Sequence, residues 1–185
     1  MPASRIPSTS PASPTRLTRL SLGFFSLLGC VVAAYLLSVS LAHRNLPAGC
    51  SQGSGCDEVL NSRWAQVFGV PVSGPALAVY GVLLLTVLSM GFGSSPVQKM
   101  RKWSALILLA VVLAGSAIWF VGLQLVAVRA ICPWCLAEHG LGLLVATIVL
   151  SSVPFVRKNL VAGAAEPPAF VTARRALASG GAGFV

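Results

Sequence analysis

The sequence predicts an all-α membrane protein, a bundle of four transmembrane helices with a short amphipathic helix in the first outer loop. Three observations lead there. Of 185 residues, 56% are hydrophobic and only 9% are charged, which is not the composition of a soluble domain. Four apolar stretches, roughly Leu20 to Leu41, Pro75 to Phe92, Trp103 to Val128 and Cys132 to Val153, approach the ~20 helical residues that cross a hydrocarbon core. The 13 basic residues divide unevenly if four helices alternate. Arg5, Arg16, Arg19, Lys99, Arg101, Lys102, Arg157, Lys158, Arg174 and Arg175 fall on one side, and Arg44, Arg63 and Arg129 on the other. By the positive-inside rule both termini are cytoplasmic. The net charge of +9 is thereby a topology signal, and no basic patch interleaved with base-stacking aromatics supports nucleic-acid binding.

The elements follow in order. Residues 1–16 are rich in Pro, Ser and Thr and bury too little apolar surface to order themselves, so they are expected to form a cytoplasmic tail. The first span follows Arg16 and Arg19, and its apolar body exceeds the ~7–15 residues of a signal-peptide core. Cys30, alone in that span, reads as a small buried apolar residue. From His43 to Gly74 the chain is long and mostly polar, broken by Gly49, Gly53, Gly55 and Pro71. Inside it, Asp57 and Glu58 suit a helix first turn, and Leu60, Trp64, Val67 and Phe68 repeat at i, i+4, i+7 and i+8. This predicts a short amphipathic helix ending at Gly69, with Trp64 at headgroup depth.

Gly91 to Pro96 is a turn signal before the basic cluster Lys99 to Lys102, a short cytoplasmic hairpin. Almost nothing beyond Arg129 and Ala130 separates the third and fourth spans, so Cys132-Pro133-Trp134-Cys135 lies at a tight outer junction. Gly29, Ala33, Ala110, Ala114, Gly115, Gly140 and Ala146 are expected to let helices approach closely. Residues 17–156 form the membrane domain, and 157–185 are expected to be a mostly disordered cytoplasmic tail.

Alternating spans put Cys50, Cys56, Cys132 and Cys135 together on the non-cytoplasmic face, where disulfides persist. Pro133 suits the first turn of a helix, which sets Cys132 at the positive end of the helix dipole, where a thiolate is stabilised. Cys135 lies one turn deeper, where a lipid-soluble oxidant can reach it. Cys50 and Cys56 flank Ser51-Gln52-Gly53-Ser54-Gly55, a segment read as flexible enough for a moving thiol–disulfide relay. A permanent stabilising disulfide and a four-cysteine zinc site are the alternative readings. His139, one turn beyond Cys135, is a candidate proton or hydrogen-bond donor. Glu138 is expected to face water, and Ser62 and Asn61 are candidates to bond a carbonyl oxygen.

The loop Cys50-x5-Cys56, then Ser62-Arg63-Trp64, then Cys132-x-x-Cys135 opening the fourth span, resembles the vitamin K epoxide reductase family in its bacterial form, over about Leu17 to Val156. DsbB-like proteins also carry two cysteine pairs on four helices, but their Cys-x-x-Cys precedes the second helix. The resemblance implies an oxidoreductase of the inner or plasma membrane that passes electrons from an exported thioredoxin-like or DsbA-like protein to a membrane quinone, menaquinone or ubiquinone, with no metal. By position it implies that the partner attacks Cys56, that Cys50 exchanges with Cys132, and that Cys135 meets the quinone, whose pocket residues would be Ser62, His139, Leu77 and Leu60. Only a short tail follows Val156, so the partner is expected to be a separate protein. His139 stands where vertebrate members carry a tyrosine, and alignment on Gly81 sets Leu77 where they carry an asparagine. Plain quinone reduction is therefore the expectation over epoxide reduction. A thiol-driven quinone or epoxide reductase, and a membrane scaffold or metal site with structural cysteines, are the competing readings.

Overall fold

The computed structural model describes residues 15–42, 46–90 and 95–153, the side chain of Pro96 apart. Contacts divide the chain after Ser152, and the description concerns the unit that ends there. The tails expected over 1–16 and 157–185 lie outside the described residues, except that Thr15 and Arg16 belong to the first helix and its cap. Of the turn expected from Gly91 to Pro96, residues 91–94 also lie outside the described residues, and Ser95 and Pro96 open α4.

The helices are α1 (Arg16–Leu41), α2 (Gly55–Leu60), α3 (Ser73–Ser89), α4 (Pro96–Leu123) and α5 (Pro133–Ser152). Local chemistry sets their starts. The Thr15 hydroxyl accepts from the Thr18 N–H at 3.2 Å, and Ser95 and Gln98 form a reciprocal capping box ahead of α4, with Pro96 at its first position. The third apolar stretch therefore becomes helical at Pro96, well before Trp103, and carries Lys99 to Lys102 in its first turns. Lys102 Nζ reaches back to the Ser89 carbonyl at the end of α3 (2.7 Å), tying the two helix ends together.

α1 packs against α3 and α5, and α4 against α5. Leu22, Ala33 and Leu36 of α1 meet Leu83 and Val87 of α3, Leu106 and Ala110 of α4, and Val145, Ala146 and Val149 of α5 in one buried core. The opposite faces carry Phe24, Leu85, Leu108 and Ile118, all widely exposed. Helices apolar on both faces belong in lipid, where tails replace water against the outer side. Three helices, Arg16–Leu41, Val97–Val128 and Pro133–Ser152, are long and apolar enough to cross a membrane. The apolar α3 has 17 residues, about 26 Å at 1.5 Å per residue.

Tyr80 is the keystone of the packing. Its ring is 1% exposed and rests on Gly29 of α1, where any Cβ would overlap it. Its hydroxyl donates to the Glu138 carbonyl at 3.0 Å and lies beside Gly142, where a Cβ would sit 3.1 Å away. Gly29 is thus the close approach its smallness predicted, and Ala33, Ala110 and Ala146 are buried. Gly115 and Gly140 face open space instead; the glycine that matters on α5 is Gly142.

The first loop departs most from expectation. α2 stops at Leu60 rather than running to Gly69, and a single 3-10 turn, Arg63–Ala65, leads into a two-strand hairpin, β1 (Gln66–Val67) and β2 (Val70–Pro71). Phe68 and Gly69 form its tip with φ of 52° and 79°, the left-handed pair that a two-residue turn requires to match strand twist. Leu60, Trp64, Val67 and Phe68 therefore share no helical face, and Phe68 is fully exposed.

Candidate active site

At the end of α4 the helix widens into a π-turn, Gln124–Val128, and Arg129 reverses the chain at φ 57°. The Gln124 carbonyl accepts the Arg129 and Ala130 N–H groups, and its buried side-chain Oε1 accepts the Cys132 N–H at 2.9 Å. Gln124 so converts the end of one helix into the start of the next. α5 begins at Pro133, as expected. The Cys132 carbonyl accepts the Leu136 N–H (2.9 Å) and its Sγ accepts the Cys135 N–H (3.3 Å), so Cys132 caps the helix with its own sulfur.

Cys132 is completely buried, and both motif cysteines are thiols. A hydrogen bond from the Cys135 side chain draws the Cys132 thiol down to about 7, helped by the Cys135 and Trp134 N–H groups and opposed by burial. Sequence reasoning expected this direction from the helix dipole; the discrete donors around Sγ provide it.

Cys50 and Cys56 form a disulfide. The segment between them is more tied than its glycines suggested. Cys50 N–H donates to the Pro47 carbonyl (2.9 Å), Ser54 N–H to the Ser51 carbonyl (3.1 Å), and Gly53 N–H to Asp57 Oδ2 (2.8 Å), while Asn61 Nδ2 holds the other Asp57 oxygen at 2.6 Å. Gly49 and Gly53 take the positive φ values these turns need. Cys50 is partly exposed, whereas Cys56 is 3% exposed.

Two features dock this loop on the inner pair. Gly55, immediately before Cys56, lies against the backbone of Ile131, immediately before Cys132, so closely that a Cβ would overlap the Ile131 carbonyl. Upstream, Ala48 is held at both backbone atoms: its N–H donates to Tyr35 Oη (2.7 Å), and its carbonyl accepts from Trp134 Nε1 (3.0 Å). The Tyr35 and Trp134 rings themselves meet at 5.0 Å. Trp134 lies between the two motif cysteines, so the loop is anchored to the motif itself.

Beneath the motif a cavity of about 290 Å³ opens, near the lower end of small-ligand pockets. Cys135, Glu138 and His139 of α5 line it with Tyr80, Phe120 and Leu60. The walls are mainly apolar, and the His139 ring lies parallel to Phe120 at 5.7 Å.

With this geometry in view, the family model of the vitamin K epoxide reductase family matches residues 20–150. The chain belongs to the vitamin K epoxide reductase family. As a member it is an oxidoreductase of the thiol-dependent, quinone-linked kind, in a family that acts with thioredoxin-like partners. The match contains all four paired cysteines, the loop helix α2 and the cavity.

The residues predicted from sequence fall unevenly around this vitamin K epoxide reductase-type site. Cys135, His139 and Leu60 line the main cavity. Ser62 lines a smaller neighbouring cavity of about 50 Å³, which also touches Cys135, His139 and Leu60, and its hydroxyl donates to the Val59 carbonyl at 2.8 Å. Leu77 lines neither. Glu138, expected in water, is 7% exposed and lines the main cavity. Gln124, Tyr80, Tyr35 and Trp134 were missed as site residues. A lone amide in an apolar span was the available signal for Gln124; nothing local marks the other three, because their partners are 13 to 86 residues away.

Proposed function

We propose that this protein is a quinone-dependent thiol oxidase of the inner or plasma membrane. It takes electrons from a separate exported thioredoxin-like protein of the DsbA type, passes them through Cys50/Cys56 to Cys132/Cys135, and delivers them to menaquinone or ubiquinone, driving disulfide formation. In this reading α3 also spans the membrane, as the second of four spans, both termini are cytoplasmic, and both cysteine pairs face the opposite side. The observation that carries the reading is the docking of an oxidised loop pair beside a reduced Cys-x-x-Cys whose inner sulfur opens on an apolar cavity. Flat apolar walls with a few polar groups suit a quinone ring.

The exposure of the sulfur-bearing residues favours one order of events, opposite to the order implied by resemblance. A partner thiolate attacks Cys50, the more exposed residue, and displaces Cys56 as thiolate. The partner's second thiol then displaces Cys50 and leaves as a disulfide. Cys56, next to the Gly55–Ile131 contact, attacks Cys132 of the oxidised inner pair and releases Cys135. Cys50 resolves that mixed disulfide, which restores the loop bond and leaves the inner dithiol, the combination of states described above. Closing of Cys132–Cys135 finally provides the two electrons for the quinone.

A thioredoxin-like protein lacking its second cysteine should remain trapped on the membrane protein as a mixed disulfide, with peptide mapping locating the bond at Cys50. A bond at Cys56 overturns the order; failure to trap at either, together with no quinone reduction, overturns the reading.

A further inference from the structure

Glu138 has no role in the exchange just described, yet its position is unusual. It is 7% exposed, and both carboxyl oxygens are wholly buried with no hydrogen-bond partner among the described residues. Cys135 is three residues before it and His139 one after, so Cys135 and Glu138 share a helix face, and all three line the same cavity. The Tyr80 hydroxyl donates to the Glu138 backbone carbonyl rather than to the carboxyl. That bond fixes the backbone of a cavity-lining residue and leaves its buried carboxyl without a hydrogen-bond tether among the described residues.

An unpartnered carboxylate in apolar surroundings is far costlier than a neutral acid, and a leucine would fill the space with neither penalty. An intramembrane ionisable group facing a cavity marks a path for protons or ligands. We infer that Glu138 is a proton donor to the quinone bound beside Cys135. The inference rests on the thiol-to-quinone reading above.

The balance closes without further reagents. Reduction of a quinone to a quinol takes two electrons and two protons. Closing Cys132 and Cys135 to a disulfide releases two of each. Glu138 gives its carboxyl proton to a quinone carbonyl oxygen and regains one of those released by the thiols. The titratable groups around it are Cys30 from α1, Tyr80 from α3, and Cys135 and His139 from α5 itself. The α4 lining residues Val112, Leu113, Ser116 and Phe120 add none.

The test uses the full chain in lipid nanodiscs, pre-reduced and mixed with menadione. E138Q keeps the shape and can still donate a hydrogen bond, but has no acidic proton to give. Its single-turnover rate should fall about 100-fold or more, the usual loss of a general acid, with the menadione KM unchanged and the residual rate rising in proportion to proton concentration. E138D should recover most of the rate. Transfer from Cys50/Cys56 to Cys132/Cys135, followed by thiol alkylation, should be the same in all variants, which separates loss of the proton from loss of the fold. Independently of any variant's folding, the infrared difference spectrum of the wild type should show a protonated-carboxyl band that moves when menadione binds. A wild-type-like rate and flat pH profile in E138Q, or no such band, overturns the inference alone. A wild-type dithiol that leaves menadione unreduced overturns the thiol-to-quinone reading, and the inference with it.

Discussion

The two cysteine pairs lie within one loop's reach of each other but in opposite settings. Cys50 and Cys56 are bridged across hydrogen-bonded turns at the polar edge, with one of the two partly exposed. Cys132 and Cys135 are reduced at a helix start, with Cys132 fully buried and its sulfur surrounded by donors. A pair whose thiolate is stabilised is stabilised in its reduced form, so it takes electrons more readily. In the relay proposed above, this contrast favours electron flow inward, from the exposed bridge to the buried dithiol.

Removing one side of this contrast has the largest expected effect. C135A should abolish quinone reduction while leaving Cys50/Cys56 able to oxidise one equivalent of partner, measured as a single burst in alkylation assays. A second turnover would show that the outer pair works alone. Next in size is the contact that joins the pairs. In G55V a side chain must displace the Ile131 backbone, and misplacement of reacting groups by about 1 Å costs on the order of 100-fold. Transfer between the pairs should slow by that order in stopped-flow quench experiments, with partner oxidation nearly unchanged.

The donors around Cys132 can be examined by pH. Its folded value, about 7, lies below the ordinary 9.0. The sign follows: this contribution to the stability of the reduced protein is fully present above the ordinary value and is lost as pH falls through about 7. Thiolate absorbance in C135A should titrate higher than in the wild type, because the largest cause, the Cys135 hydrogen bond, is gone. The smallest effect is expected for W134F, which keeps a ring against Tyr35 but loses the bond to Ala48. Stability of the anchored loop should fall by about 1 kcal/mol, read as faster amide exchange at Cys50 with the global melting temperature little changed.

What sequence made legible was what adjacent residues decide. Pro133 after Cys132 marks a helix start, and apolar run lengths mark the long helices. Misreadings arose where distant partners decide. Leu60, Trp64, Val67 and Phe68 have helical spacing, but the Phe68-Gly69 pair turns a hairpin between them, without the Asn-Gly signal that announces one. Gly140 and Gly142 are equally small; only the position of Tyr80 selects the second. Glu138 near a helix start looked solvated, yet tertiary packing buries both of its carboxyl oxygens. Around the candidate site, spacing alone singles out the four cysteines and His139 as candidates, while Gln124, Tyr35 and Trp134 make contacts that local spacing does not encode.

The double anchoring of Ala48 sets the length of a leash. Cys50 is two residues beyond that anchor, and two extended residues reach at most about 7 Å. While Tyr35 and Trp134 hold, the reactive bridge cannot swing out toward a distant protein. In the proposed relay the partner then has to come down to the rim of the bundle and present its own sulfur on a protruding surface, so the choice of partner falls to shape at that rim as much as to thiol chemistry.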